Sequence, residues 1–221
     1  MPIIEQLHKY SLFNGLNQRE LTALSSGITK RFFARGAYIY HPGAPGLNMY
    51  LVESGLVRMF FANNQGDEFL MNLVMANDCF GLPVLLDDQV RIIGAAAVRD
   101  TVLLSLSREV VFDGMRRFPQ FAVNLYLEMS DKMRRLGGYA YGVAALSVQG
   151  RLAKVFLYFS RQQGNKLDLP ISQGDLASLV GSSRGHVNRA LVKMQGQGLI
   201  RMEGHNIYIL DLQGLVKTSE V

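Results

Sequence analysis

The sequence predicts an α+β fold: a barrel or sandwich of short antiparallel strands, a long helix, and a C-terminal group of helices closed by a hairpin. Three observations lead there. Strand-like segments split by glycine turns run from Phe32 to Leu106. One amphipathic stretch then extends from Phe121 to about Leu146. Two short capped helices joined by a glycine turn occupy Ser172 to Gln195.

Taken in order, residues 3–28 read as helices interrupted by the segment SLFNGLNQ, with Leu21 and Leu24 on one face of the second helix. In the strand region, Met49 to Val52 lead into the turn Glu53-Ser54-Gly55. Val57, Met59 and Phe61 then alternate with Arg58 and Phe60, which predicts one buried and one exposed face. Asn63 to Gly66 make a polar turn before Phe69 to Leu73, Asn77-Asp78 make another, and Ala95 to Leu106 supply two more strands.

In the long helix, Leu125, Met129, Leu136, Tyr139, Val143 and Leu146 recur at three- and four-residue steps, with Lys132 the one charge on that stripe. About 25 residues at ~1.5 Å each give roughly 38 Å. Such a stripe serves either as core or as the seam of a two-stranded coiled coil. Gly137, Gly138 and Gly142 are unfavourable in a helix and point to a close helix approach or a bend. Ser147 is placed to cap a further helix, Gln149 to Gln162, and Gln163 to Lys166 read as a turn.

The stretch from Ser172 carries the clearest chemistry. Ser172 and Asp175 have capping-box spacing, and Gly181 suits the left-handed conformation of a sharp turn. Ser182 or Ser183 caps the second helix, whose apolar face is Val187, Ala190, Leu191 and Met194. Small Ala177 allows the two helices to cross closely. Gly185 and Arg189 lie opposite the apolar face, flanked by Asn188 and Lys193, with Arg184 and His186 at the leading end. A helix-turn-helix puts that leading end against base edges in the major groove. Arginine pairs with guanine there and asparagine with adenine. Gln173, Ser183, Arg184, Gly185, His186, Asn188, Arg189 and Lys193 are the candidate DNA-binding residues, and Arg201 is a further phosphate-gripping candidate. Leu199 to Met202 and Asn206 to Leu210 flank Glu203-Gly204-His205 as a hairpin, a wing.

Charge follows the same division. Residues 134–221 hold eleven Lys/Arg and five acids, a net of +6, which leaves −1 for residues 1–133 of a chain total of +5. Only the C-terminal part is predicted to meet nucleic acid. No apolar run is long enough to span a bilayer and the first residues lack a signal-peptide pattern, so the expected location is the cytoplasm with no membrane partner. One cysteine gives neither an intrachain disulfide nor a cysteine-ligated cluster. No nucleophile–base spacing, paired metal ligands or glycine-rich phosphate loop occurs, so no catalytic or metal residues are assigned and no enzyme is expected.

The order of features resembles the Crp/Fnr family of bacterial transcription regulators over nearly the whole chain. The matching residues are Leu12-Phe13-Asn14-Gly15-Leu16, Tyr50 to Arg58, Phe80-Gly81, Gly150-Arg151-Leu152 and, most closely, Ile171 to Ile200. The resemblance implies a jelly roll of cyclic-nucleotide-binding type over residues 1–119, a dimerisation helix over 120–146 and a winged helix-turn-helix over 147–221. It implies a homodimer, seamed at Leu125, Met129, Leu136 and Val143, on an inverted-repeat DNA site, with RNA polymerase as a further partner.

An effector pocket is implied too, with Phe69, Met71, Phe80, Gly81, Leu82, Arg91 and Tyr139 as candidates. Cyclic-AMP-binding members carry a glutamate after Phe-Gly, an arginine–serine pair further on, and a Thr-Ser pair on the dimer helix. Here the segment Leu82-Pro83-Val84-Leu85-Leu86 makes the glutamate position apolar, Ile92-Ile93 follow Arg91, which reads as a surface residue, and the Thr-Ser pair is missing. No tight cyclic-AMP site and no bound cofactor are therefore expected. An unknown small apolar ligand, haem, or control by abundance alone remain the alternatives. None of His8, His41, His186 and His205 lies where the pocket would be lined, and Cys79 reads as a buried, inert thiol. Activators of the family often read DNA with arginine, glutamate and arginine. Arg184 and Arg189 match that pattern while Gly185 replaces the glutamate.

Overall fold

A computed structural model describes residues 3–87 and 89–220. The chain forms two compact units that part between Arg134 and Arg135.

In the first unit, α1 (Ile3–Leu7), a 3-10 turn (Ser11–Phe13) and α2 (Gln18–Ser25) precede the strands. Asn17 caps α2 in a reciprocal box with Glu20. The strands are β1 (Ile28–Phe33), β2 (Tyr38–Tyr40), β3 (Asn48–Ser54), β4 (Leu56–Ala62), β5 (Glu68–Met75), β6 (Cys79–Phe80), β7 (Gly94–Ala97) and β8 (Thr101–Ser107). They form two four-stranded sheets, β1-β8-β3-β6 and β2-β7-β4-β5. Every described pairing is antiparallel, and the strand order is that of a jelly roll.

The inner strands β3 and β8 of the first sheet are buried on both faces, which explains the unbroken apolar run Met49 to Val52. Tyr50, Val52 and Leu103 face the second sheet and meet Val57, Met59, Val74, Ala95 and Ala97. Met49, Leu51, Leu104 and Leu106 face the opposite way, into a core shared with the helices. Those helices include α3 (Leu82–Asp87) and α4 (Arg108–Arg117), neither of which the periodicity revealed.

The alternation in β4 predicts Phe61 inside and Phe60 outside, yet Phe60 is 1% exposed and Phe61 44%. Two local features account for this. Phe60 packs on Gly94, under the edge of Tyr38 and the guanidinium of Arg58, so the outer face is covered. A bulge pairs Met59 with Asn72 and Phe60 with Leu70, which leaves Met71 as the extra residue.

Helix α5 (Pro119–Ala145) runs unbroken through Gly137, Gly138 and Gly142. In its first half Phe121 and Leu125 are buried in the helix-side core and Met129 packs against it. Leu125 and Met129 are therefore core residues of their own unit and not seam residues. Lys132, next on that stripe, reaches the Cys79 carbonyl at 2.8 Å and Glu128 at 3.0 Å.

The second unit holds the last turns of α5, α6 (Val148–Gln163), β9 (Lys166–Asp168), α7 (Gln173–Leu179), α8 (Arg184–Gly196), β10 (Ile200–Glu203), β11 (Asn206–Ile209) and α9 (Leu212–Thr218). Ser147 caps α6 as expected. The predicted turn over Gln163 to Lys166 is shorter, Gly164-Asn165, and leads directly into β9, which adds a third strand to the wing hairpin in the order β10-β11-β9. Leu152, Phe156 and Phe159 of α6 are buried, as are Leu176, Val187, Leu191 and Met194 of α7 and α8.

Candidate nucleic-acid interface

Ser172 accepts the backbone N–H of Asp175 at 3.0 Å, and the Asp175 carboxylate accepts that of Ser172 at 3.0 Å, so α7 opens with a full capping box. Gly181 then turns the chain at a φ of +58°, where a side chain would be strained. A Cβ there would also stand 3.0 Å from the Tyr139 hydroxyl and 3.2 Å from Val143. Arg151 donates to the Gly181 carbonyl at 3.0 Å. Tyr139, expected in an effector pocket, instead stands against this turn. Of the two candidate caps for α8, Ser183 takes the role, accepting from the backbone N–H of His186 at 3.3 Å.

The face of α8 that packs on its own unit is Val187, Ala190, Leu191 and Met194, all buried. Arg184, Gly185, His186, Asn188, Arg189 and Lys193 are all exposed, and Gln173 of α7 is half-buried. Neither Arg184 nor Arg189 has an ion-pair partner among the described residues. Arg189 lies back over Gly185, with Nη1 3.8 Å from where a Cβ would stand. Val192 projects from the same outward face at 61% exposure, a position that sequence reasoning passed over. An apolar residue on a predicted polar face was the available signal, since a valine there can meet a thymine methyl. Arg201 is already engaged by Glu203 at 3.1 Å and by the Tyr208 ring.

Inside the jelly roll the candidate pocket residues separate. Arg91, expected at the surface, is 3% exposed. Its guanidinium lies 3.8 Å from the centroid of Tyr40, donates to the Asn48 carbonyl and stands beside Gly81. Tyr40, Tyr50 and Phe80 stack with centroids 5.1 to 6.1 Å apart. Tyr40 and Tyr50 thus put ring faces against the Arg91 cation, with Phe80 packed on both rings. Burial pushes the Tyr40 phenol up to about 12, and the Arg91 charge and hydrogen bond pull against that rise. Leu82 faces elsewhere, fully buried in the helix-side core. Phe69 and Met71 are largely exposed.

A second charged cluster lies under α5. Asp78, Cys79 and Glu128 bring three ligand-type atoms within 4.8 Å of one another, and Lys132 donates into the group. An ammonium thus already supplies the cation there. Cys79 is buried as expected, and that burial raises its thiol well above the ordinary range.

Comparison with known proteins agrees with this architecture. Residues 30–118 match the model of the cyclic nucleotide-binding domain, and residues 150–218 that of the Crp-like helix-turn-helix domain. The chain is 33% identical over 191 residues to the cyclic AMP receptor protein of Thermus thermophilus, covering 86% of this chain and 88% of the relative. It is 27% identical over 221 residues to a CRP-like cAMP-activated global transcriptional regulator of Mycobacterium tuberculosis, covering 97% and 99%. FixK2 from Bradyrhizobium japonicum shares the fold at a TM-score of 0.77 and 22% identity, covering 86% and 96%. With both domain types in order and a relative above 30% identity along most of its length, the chain belongs to the Crp/Fnr family of DNA-binding transcription regulators, which are not enzymes.

Proposed function

We propose that the protein works as a homodimer that reads an inverted-repeat DNA site through α8, in a unit built of residues 1–119, 120–146 and 147–221 as sensor, dimer helix and DNA-binding domain. The observation that carries the dimer is a second stripe on α5. Tyr126, Ser130, Met133, Gly137, Ala140 and Ala144 follow one another at alternating steps of four and three. Tyr126 and Met133 are 73% and 71% exposed, and Gly137, Ala140 and Ala144 are exposed as well. A Cβ on Gly137 would meet nothing within 4 Å in its own chain. A partner helix accounts for both facts, because small residues at seam positions let two helices approach closely. This seam replaces the one built on Leu125 and Met129, while Leu136 stays exposed beside it and Val143 lies against Gly181.

Two α8 helices related by a two-fold axis would enter major grooves about 34 Å apart. Gly185 offers no acceptor for a cytosine amine, so preference at the facing base pair should differ from that of arginine–glutamate–arginine relatives. Sedimentation of the full chain and of Met133→Asp tests the seam: a wild-type dimer that the variant splits supports it, and a wild-type monomer that binds a single half-site sinks it. Contact with RNA polymerase and a cytoplasmic location follow from the resemblance.

For control, our reading is that the roll does not take cyclic AMP. Leu82 sits in core where a ribose hydroxyl would need a carboxylate, Ile92 follows Arg91, and the Arg91 guanidinium is held by its own chain. The competing reading is a cyclic-nucleotide effector. Two relatives carry cyclic AMP in their names, and Arg91 is buried beside Gly81 with no carboxylate partner among the described residues. Calorimetry with cyclic AMP decides between them, and micromolar or tighter binding would overturn the first.

A further inference from the structure

We infer that His186 is a specificity-determining residue, a hydrogen-bond donor whose outward nitrogen is set by Ser183. The inference rests on the reading of α8 as the recognition helix and deepens it. Ser183 Oγ accepts the backbone N–H of His186 at 3.3 Å and lies 3.0 Å from His186 Nδ1. A serine hydroxyl has one hydrogen to give. One of its two lone pairs takes the cap bond, its hydrogen is free for Nδ1, and we take it to point there. Nδ1 is then the acceptor and the ring proton sits on Nε2, facing away from the cap. The imidazole is exposed, one position after Gly185.

Its neighbours give this donor a defined task. Arg184, Arg189 and Lys193 have only donors, and Gly185 has no side chain. Asn188 alone among the candidate residues beyond the Ser183 cap offers a side-chain oxygen on the helix face. The base pair facing Gly185 and His186 is therefore met by donors, where a glutamate would have offered acceptors. Guanine presents two acceptors in the major groove and cytosine presents an amine. The geometry thus assigns His186 Nε2–H to a guanine at that step. Where the hydroxyl gives its hydrogen to Nδ1, the serine that starts α8 also sets the outward nitrogen of the ring.

The test is a selection on duplexes randomised across one half of an inverted repeat, run with wild-type protein, His186→Ala and His186→Gln. His186 is exposed and makes no core contact, so both variants fold. Wild type selects guanine at one step. His186→Ala flattens that step alone, by about fivefold, the worth of one hydrogen bond. His186→Gln moves the preference to adenine, because a glutamine amide pairs with adenine. Unchanged preference in both variants overturns the inference, as does an equal loss of affinity for all sequences, which marks a phosphate contact. A wild-type protein that selects no sequence overturns this inference together with the recognition-helix reading.

Discussion

Cations inside the jelly-roll unit and on α8 are treated in opposite ways. Arg91 and Lys132 are held by carbonyls, ring faces and, for Lys132, carboxylates of their own unit. Arg184 and Arg189 stand in solvent with no ion-pair partner among the described residues. Burying a charge is costly unless it is paired, so the first pair has been enclosed by structure that satisfies it. The second pair keeps its donors available, and in the proposed complex phosphate or guanine would supply the acceptors. Charge content alone does not distinguish the two, since the difference lies in which atoms surround each side chain.

The largest expected effect breaks the enclosed side of this comparison. Lys132→Ala leaves Glu128 and the Cys79 carbonyl facing each other without their cation, and should lower unfolding free energy by about 3 kcal/mol. A loss below ~1 kcal/mol in denaturant titration would show that water already screens the cluster. The same cluster has a pH signature. Burial acts to raise the Glu128 carboxyl, but the Lys132 charge and hydrogen bond outweigh it and hold it below the ordinary range. Its folded-state value is depressed, so its contribution is complete above the unfolded carboxylate range near 4.3 and fades as pH falls through the folded value. Glu128→Gln should therefore cost stability at pH 7 and much less at pH 3.

Next in size, Arg91→Ala removes a stacked guanidinium and orphans the Asn48 carbonyl, for about 2 kcal/mol of stability. Retained stability with altered DNA control would instead mark Arg91 as an effector ligand. On the exposed side, Arg189→Ala should weaken binding to the preferred site by about 2 kcal/mol, roughly thirtyfold, and leave the thermal midpoint unchanged. A midpoint shift of several degrees would mean that Arg189 is structural after all. The smallest change is Gly185→Ala. The site is open except for the Arg189 tip at 3.8 Å, so alanine should stabilise α8 by about 0.5 kcal/mol.

Much of the helix-turn-helix was legible because its signals are local. The capping box at Ser172, the glycine turn and the apolar face of α8 depend on residues within a few positions of one another. The strands were legible as a set, from alternation and turns. Burial within them was not, as Phe60 and Phe61 show, because the bulge lies on the partner strand β5 and the covering Tyr38 comes from β2. The stripe on α5 was read correctly as apolar, but its first half, Leu125 and Met129, packs into its own unit, while Leu136 and Val143 are exposed. Two stripes with nearly the same period lie on that helix, and only the packing of Leu125 into its own core separates them.

By itself the sequence determined the order of strands, long helix, helix-turn-helix and hairpin, the caps at Ser147 and Ser172, the basic face of α8 and the absence of a glutamate at Gly185. These follow from propensity and periodicity, which act over one or two turns of chain. Only the tertiary structure decided that Arg91 is buried against Tyr40, that Lys132 stands between Asp78 and Glu128, that Tyr139 braces the turn at Gly181, and which face of α5 is left bare. Each of those depends on residues far apart in the chain meeting in a low-dielectric interior, where the surroundings of a charge and not its position in the sequence set what it does.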